Sequence, residues 1–378
     1  MKENKGAVVS IAGLCFELAD SLPMLDEFVC HSKEKSDGQI CVVKKTLYNG
    51  SEKLAAEHID VNVYICYDGS WLYIMPKFTD LVQVSLSADY KTVNCYVAPS
   101  FNEAEYHHIF RVLFRMAIEC IMIHKSCLSL HAACVDTGGE AVAFTGVSGT
   151  GKSTRAAALI EASGGEFISG DRPALKINSN GVTVCGVPWD GKERIYRLVE
   201  RPLKAILDVR RSDTDYLRKL TPEQAQRVLV KQIFIPMWDT TSAALAIMNA
   251  RKLSKSVSVY RVFCGPNAKN AENIRKILFE NPDEILEAAK EMKIKENFVL
   301  RNIADEYIVM PTGSNIAKFD GAVALNEVSA FIFEKLQNPV SKEDLVTALL
   351  NEYEVDAETA AKDVDALIAK FEEMGIIE

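Results

Sequence analysis

The sequence contains no long hydrophobic run. Its most apolar stretch, around Met116–Ile123, is short and includes Glu119. A helix needs about 20 predominantly apolar residues to span a bilayer, so the sequence predicts no membrane segment and no membrane partner. The ten cysteines form neither CxxC pairs nor a dense framework, which argues against a zinc ribbon and a disulfide scaffold. They are typical of reduced thiols in a cytoplasmic protein.

Positive charge is also scarce. Lys and Arg number 43 against 52 Asp and Glu, which gives the 378 residues a formal net charge of −9. No global positive field would therefore attract nucleic acid, and we expect no nucleic-acid partner. Hydrophobic residues make up 48% of the chain, as in ordinary globular proteins, and the length predicts two or three domains.

Local patterns change along the chain and suggest its organisation. Residues 1–126 read as a strand-rich region, with strands at 61–66, 71–76 and 92–97 and then an apolar helix at Glu103–His124. From residue 127 strands and helices alternate, which favours an α/β layer over 127–281. A charged linker at 282–297 precedes a last domain at 298–378, with three short strands and three amphipathic helices.

The clearest motif is a glycine-rich loop between an apolar strand and a helix. Gly146-Val147-Ser148-Gly149-Thr150-Gly151-Lys152-Ser153 fits the pattern GxxxxGK[ST]. Glycines let consecutive backbone N–H groups point at phosphate oxygens, a lysine neutralises the β- and γ-phosphates, and the hydroxyl after it ligates Mg²⁺. The alternative is a chance match in a turn. The predicted nucleotide-binding residues are Gly146, Ser148, Gly149, Thr150, Gly151, Lys152, Ser153 and Thr154.

The flanks of this loop carry a resemblance to a known family. The segments SLHAACV (129–135), AFTGVSGTGKST (143–154) and FISGDRPAL (167–175) resemble the catalytic domain of HPr serine kinase/phosphatase. The likeness is specific over about 127–175 and weaker to about 280. It implies an α/β P-loop kinase of the phosphoenolpyruvate-carboxykinase-like type that uses ATP and Mg²⁺. It also implies that His131 lies beside the transferred phosphate and that Asp171 joins Ser153 as a metal ligand.

One position departs from that family. In that family an acidic pair follows the next strand after the loop, and the first member of the pair is the presumed general base. The matching position in this chain is Gly170. His131 could guide the acceptor hydroxyl instead, and Asp190 is another conceivable acid. If the glycine-rich loop were not nearby, the simplest interpretation of His131 would be a buried, hydrogen-bonded core histidine, and that of Asp171 would be a cap of the turn before Pro173. Lys192 and Arg194 read either as phosphate contacts or as a solvated charge pair.

The last domain resembles PqqD-like domains over its whole length. The matching segments are FDGAVALNE (319–327), FEKL (333–336) and MGII (374–377). The likeness implies an α+β, winged-helix-like fold whose sheet adds a precursor (leader) peptide as an extra strand, near Asn315–Phe319. A structural or dimerising role is the alternative. A DNA-reading role is disfavoured because the helix at 342–353 carries Glu343, Asp344 and Glu352 rather than a basic cluster.

Together these patterns predict an enzyme. The first hypothesis is an ATP-dependent kinase that phosphorylates a hydroxyl, serine first, on a ribosomally made precursor peptide, with His131, Lys152 and Asp171 as catalytic residues. The second is a degenerate, nucleotide-binding escort protein in a peptide-modification pathway. Phosphorylation of a small molecule, or phosphoenolpyruvate chemistry, is a weaker third. The resemblance leaves a homo-oligomer open, and the role of the N-terminal region stays open too.

Overall fold

The structure of the chain is a computed structural model. It describes residues 6–20, 22–30, 36–45, 52–58, 60–101, 103–189, 196–211, 216–264, 274–275, 278–279, 291–303, 306–312 and 323–377. The chain divides into two compact units, Met1–Leu286 and Glu287–Glu378. The predicted α/β class is confirmed at the level of mixed α/β structure with large sheets. The finer predicted boundaries, at 126 and 281, remain predictions.

The N-terminal part of the first unit is strand-rich. Its strands are β1 (Val8–Ile11), β2 (Leu14–Leu18), β3 (Val29–Cys30), β4 (Gly38–Val43), β5 (Lys53–His58), β6 (Val61–Ile65), β7 (Trp71–Ile74), β8 (Val82–Leu86) and β9 (Thr92–Val97). Within the described residues they form one sheet in the order β3-β1-β2-β4-β9-β8-β7-β6-β5, parallel only at β2–β4 and β4–β9. Two 3-10 helices, Pro23–Phe28 and Pro76–Phe78, lie between strands.

A long helix, α1 (Glu103–His124), packs against this sheet. The sequence predicts the same bounds, and the five apolar positions that recur at helical spacing are all buried: Ile109, Leu113, Ala117, Cys120 and Ile123. This element is therefore confirmed, because the helical spacing of apolar residues gives the helix one face to bury.

A second mixed sheet follows. Its strands are β10 (Cys127–Ser129), β11 (Ala132–Asp136), β12 (Ala141–Thr145), β13 (Glu166–Ser169), β14 (Ala174–Asn178), β15 (Gly181–Cys185), β16 (Glu200–Arg211), β17 (Tyr216–Lys219) and β18 (Ser258–Cys264). Within the described residues the path runs β10-β14-β15-β16-β12-β11-β13, and β18 pairs with both β16 and β17. The pairs β12–β16 and β16–β18 are parallel.

Helices cover both faces of this second sheet. They are α2 (Lys152–Ser163), α3 (Pro222–Val230) and α4 (Thr240–Ser256). Leu159 of α2 shares a buried cluster with Phe144 and Leu207. Leu253 of α4 belongs with Ile206 to the other large cluster of this unit. The chain thus changes face between β12 and β16, and in α/β sheets ligands bind at the carboxyl ends of strands beside such a change.

One segment before the glycine-rich loop does not form a single continuous strand. The segment SLHAACVD (129–136) breaks at Leu130-His131, because β10 pairs with β14 whereas β11 pairs with β12 and β13. Leu130 instead bridges to Ile233. The break places His131 between two strands rather than within one.

The second unit has its own core and an α+β arrangement. Its strands are β19 (Glu291–Met292), β20 (Phe298–Ile303), β21 (Glu306–Pro311), β22 (Val323–Leu325) and β23 (Val340–Ser341), and its helices are α5 (Glu327–Lys335), α6 (Lys342–Glu352) and α7 (Ala357–Glu373). The described strands form a sheet β20-β21-β22 and a pair β19-β23. The predicted third strand at Asn315–Phe319 lies outside the described residues, and β22 is the third strand that the structure describes.

Two further structural facts concern the helices and the cysteines. Among the described helices none combines the length and apolarity that crossing a membrane requires. The nine cysteines whose side chains are described are free thiols, and six of them are buried.

Candidate functional site

The glycine-rich loop joins the end of β12 to the start of α2. Its three glycines, Gly146, Gly149 and Gly151, have φ values of 139°, 83° and 90°, which side chains of L-residues rarely tolerate. Gly146 also lies against β16, where an added Cβ would stand 2.9 Å from the carbonyl oxygen of Val209. Glycine is therefore required at Gly146 by both conformation and space.

Hydrogen bonds fold the loop around the Lys152 ammonium. Nζ of Lys152 donates to the carbonyl oxygens of Gly146 (3.1 Å) and Val147 (3.3 Å). The hydroxyl of Thr150 donates to the same Val147 oxygen at 2.8 Å. Val147 is 57% exposed, and Ser148 is exposed as well. The loop thus presents a cation and its backbone at the surface.

The first turn of α2 completes this arrangement. Gly151 is the N-cap residue, and no described side chain caps the helix start. A helix N-terminus leaves several N–H groups without intrahelical partners and carries a partial positive charge. Ser153 and Thr154 lie in this turn, so the loop, the helix start and Lys152 together favour an anion such as phosphate.

His131 is held at the break between β10 and β11. Its backbone N–H donates to the carbonyl oxygen of Gln232 at 2.8 Å, and its own carbonyl oxygen accepts from the Thr145 hydroxyl at 2.8 Å. Thr145 is the residue directly before the glycine-rich loop. The imidazole is 31% exposed, so it is positioned by the backbone and still reachable from solvent.

Asp171 lies beside His131, two residues beyond β13. Its carbonyl oxygen accepts from the Ala132 N–H at 2.7 Å, which ties it to the start of β11. Oδ1 of Asp171 stands 3.5 Å from Nε2 of His131, and Oδ2 stands 4.0 Å from Nε of Arg172. The carboxylate thus faces one imidazole and one guanidinium group.

The pKa values reflect this proximity. Burial lowers the pKa of His131 from 6.5, and the positive charge of Lys152 lowers it further, while the Asp171 carboxylate opposes both. Burial also lowers the pKa of Lys152, again opposed by Asp171. Near neutral pH the imidazole of His131 is therefore mainly neutral and able to accept a proton.

The structure thus brings three predicted residues, His131, Lys152 and Asp171, into one site with the predicted loop. Sequence reasoning missed the neighbours Thr145, Arg172 and Gln232; only Arg172, adjacent to Asp171, carried a local signal. Asp190, Lys192 and Arg194 lie outside the described residues. No cluster of three or more His, Cys, Asp or Glu residues suited to a metal occurs within the described part of the chain.

The second unit presents a different surface. A cavity of about 320 Å³ lies between β20, β21 and α5, and its lining includes Leu300, Arg301, Tyr307, Phe333 and Glu334. Tyr307 in β21 pairs with Leu325 in β22. Among the described residues, the outer edges of β20 and β22 have no neighbouring strand.

Comparisons with known proteins agree with one part of this account. The family described as "Coenzyme PQQ synthesis protein D (PqqD)" matches residues 306–377, so the second unit contains a PqqD-like domain. No curated protein matches the chain.

Three solved structures are similar to parts of the chain. "TbiB1 in Complex with the TbiA(beta) Leader Peptide" has 23% identity and a TM-score of 0.20, covering 23% of this chain and 94% of that one. "Lasso peptide synthetase B1 complexed with the leader peptide" has 23% identity and a TM-score of 0.20, covering 23% and 98%. "Structure of the Hpr(Ser) kinase/phosphatase from Coxiella burnetii" has 12% identity and a TM-score of 0.23, covering 41% and 95%.

Proposed function

We propose that this protein is an ATP-dependent kinase that phosphorylates a hydroxyl group, serine first, on a ribosomally made precursor peptide. The observation that carries the proposal is the convergence of His131 and Asp171 on the exposed glycine-rich loop that ends at Lys152. The fold we propose for the first unit is accordingly that of an α/β P-loop kinase.

The loop fits a nucleoside triphosphate with Mg²⁺. Bound Mg-ATP supplies the phosphoryl group and a cation that neutralises charge during transfer. The loop amides and the N-terminus of α2 would hold phosphate oxygens, and Lys152 would exchange its two loop carbonyls for them. Ser153 and Asp171 would hold the cation.

His131 is proposed to take the proton of the acceptor hydroxyl. Its lowered pKa leaves the imidazole neutral near pH 7, and the hydrogen bonds to Gln232 and Thr145 fix its backbone beside the loop. Asp171 stands 3.5 Å from Nε2 and would stabilise the imidazolium that results. This pair would take the role of the acidic residue that the family has at the position of Gly170.

The PqqD-like domain is proposed to hold the leader of the precursor. Its family resemblance implies capture of an extended peptide as an added strand, and the outer edge of β22 is open among the described residues. Tethering the leader would raise the local concentration of the acceptor at the loop to the millimolar range typical of short linkers.

A second candidate function rests on Gly170. If the His131–Asp171 pair does not serve as the base, the protein would bind nucleotide without transfer and would act as an escort for a peptide-processing partner. Gly170→Asp discriminates between the two candidates. An escort protein that lacks only the base should gain phosphoryl transfer in this variant, whereas a kinase that already uses His131 as its base should not.

Nucleotide binding is the first requirement of both candidates. Titration calorimetry of the full chain should show Mg-ATP binding that Lys152→Ala weakens by tenfold or more, because the loop loses its cation. Lys219→Ala, which removes a lysine from β17, should bind as the wild type does. Equal affinities of the wild type and Lys152→Ala would contradict the proposal.

A further inference from the structure

Two short links between strands face each other beside the glycine-rich loop. The first, residues 130–131, joins β10 to β11, and the second, residues 170–173, joins β13 to β14. β10 pairs with β14 and β11 pairs with β13, in both cases antiparallel. The two links therefore run past each other in opposite directions.

Strand register sets His131 directly opposite Arg172. The alignment is the same on both sides of the links, as two residue pairs show: Ser129 with Ala174, and Cys134 with Ser169. Counted inward from either pair, residue 131 meets residue 172. Side chains of directly opposite residues in an antiparallel pair are neighbours, with Cβ atoms about 4.5–5.5 Å apart. Arg172 therefore belongs to the same site as His131.

The backbone of Arg172 is fixed on both sides. The residue before it, Asp171, accepts from the N–H of Ala132 at 2.7 Å, and the residue after it, Pro173, accepts from the N–H of Leu130 at 3.2 Å, each through its carbonyl oxygen. A residue before proline is also restricted to extended conformations. The guanidinium group thus extends from a fixed point, and the backbone loses little conformational entropy when the side chain binds a ligand.

The contact of Arg172 with Asp171 is an ion pair at long range. Nε of Arg172 stands 4.0 Å from Oδ2 of Asp171, beyond the roughly 2.7–3.2 Å of an N–H···O hydrogen bond. The Arg172 side chain is 25% exposed, so a ligand in solution can reach it. Burial lowers the pKa of His131, and the charges of Lys152 and Arg172 lower it further. The guanidinium and ammonium groups thus approach the same imidazole.

Arg172 lies where the proposed reaction needs positive charge. Lys152 is proposed to contact the phosphates and His131 to meet the acceptor hydroxyl, so the phosphoryl group passes between these two residues during transfer. Its charge is then spread over three equatorial oxygens. The planar donors of a guanidinium group match such oxygens, and arginines stabilise this charge in other phosphoryl transferases.

We propose that the guanidinium group of Arg172 binds oxygens of the phosphoryl group that is transferred. The inference rests on the proposed nucleotide site at the glycine-rich loop. During transfer the acceptor oxygen bonds to the γ-phosphorus, while the bond from that phosphorus to the β–γ bridging oxygen breaks and leaves its electron pair on the nucleoside diphosphate. The hydroxyl proton passes to His131. Arginine keeps its own proton in proteins, so Arg172 contributes charge and hydrogen bonds alone.

The test compares the affinities of the full chain for Mg-ATP and Mg-ADP by titration calorimetry. The diphosphate lacks the phosphoryl group, so Arg172→Gln should weaken Mg-ATP binding about tenfold and leave Mg-ADP binding unchanged. Lys152→Ala should weaken the binding of both nucleotides, because the lysine of such a loop also reaches the β-phosphate. Arg172→Lys should lose less Mg-ATP affinity than Arg172→Gln, since it keeps the charge without the planar donors.

Arg201→Gln is the matched control. It removes another half-buried arginine of the same sheet, whose Nε donates to Asp136 at 2.8 Å at the opposite end of β11 from His131, and it should bind both nucleotides as the wild type does. Equal losses of Mg-ATP and Mg-ADP affinity in Arg172→Gln, as a merely structural role predicts, would overturn the proposal. So would wild-type affinity for both nucleotides.

If Arg172→Gln fails to fold, Arg172→Lys decides by the same two affinities. The wild type separates this inference from the proposed function. A wild type that binds neither nucleotide contradicts the proposed function and this inference together, whereas a wild type that binds both, with Arg172→Gln unchanged, contradicts this inference alone.

Discussion

Gly146 is the most constrained residue of the candidate site. Its φ of 139° and the 2.9 Å approach of an added Cβ to the Val209 oxygen leave no room for a side chain. Gly149 also has a positive φ, 83°, but nothing lies within 4 Å of its added Cβ. A side chain at Gly146 would therefore be strained by both its backbone conformation and a steric clash, whereas one at Gly149 would be strained by its backbone conformation alone.

Alanine substitutions should therefore differ in cost. Gly146→Ala should lower the free energy of unfolding by about 2–4 kcal/mol, whereas Gly149→Ala should lower it by about 1 kcal/mol, the cost of a left-handed residue. Denaturant titration of the two variants measures the difference. Equal destabilisation would show that β16 does not press on the loop.

The charges around His131 predict opposite shifts in two variants. Lys152→Ala removes a cation that lowers the pKa of His131, so that pKa should rise. Asp171→Asn removes an anion that raises it, so the pKa should fall. An NMR titration of ring-labelled histidine, with His131→Gln for assignment, measures both. Transfer should accordingly rise with pH through the His131 pKa, below 6.5, and then level off. A shift of the same sign in both variants would contradict the geometry.

At the scale of elements, α4 begins in a buried polar network that joins three elements. Asp239 caps the helix by accepting from the N–H groups of Thr241 (3.1 Å) and Ser242 (3.3 Å). Its other oxygen accepts from the hydroxyls of Ser242 and of Tyr90, which lies between β8 and β9. His124, at the end of α1, bonds to Ser242 at 2.8 Å.

Loss of this network should cost more than loss of a cap. Asp239→Ala should lower the free energy of unfolding by about 2–4 kcal/mol, since a cap contributes about 1 kcal/mol and each buried hydrogen bond about as much. The control is Thr221→Ala, which removes the side-chain cap of α3 and should cost about 1 kcal/mol. Similar costs in urea titrations would mean that Tyr90 and His124 contribute nothing.

The elements that the sequence predicts are those with local signals. The spacing of apolar residues gives α1, and the helix predicted at 342–353 is present as α6, which begins after Ser341, whose hydroxyl accepts from the Asp344 N–H at 3.2 Å. The break at His131 had no such signal, because β10 pairs with β14, 45 to 49 residues further along the chain, and β11 pairs on one side with β13, 30 to 35 residues further along. Local propensity cannot reveal pairing of that kind.

Over the full length of the chain, a functional site can be predicted from the sequence where its residues are consecutive. The loop at 146–153 was visible as a motif, and the PqqD-like match at 306–377 confirms the predicted resemblance of the last domain. The pairing of Asp208 with Arg261 was invisible in the sequence, since strand register alone brings these two residues together. Kinase activity stays a proposal that transfer itself must test.

The most direct test is phosphoryl transfer by the full chain from Mg-ATP to precursor peptides encoded beside its gene, followed by mass spectrometry. We expect one hydroxyl to be phosphorylated, faster with the leader attached than without it, and no product with Lys152→Ala. Lys219→Ala should transfer as the wild type does. Tight binding of Mg-ATP without transfer to any such peptide, or wild-type turnover by Lys152→Ala, would contradict the account.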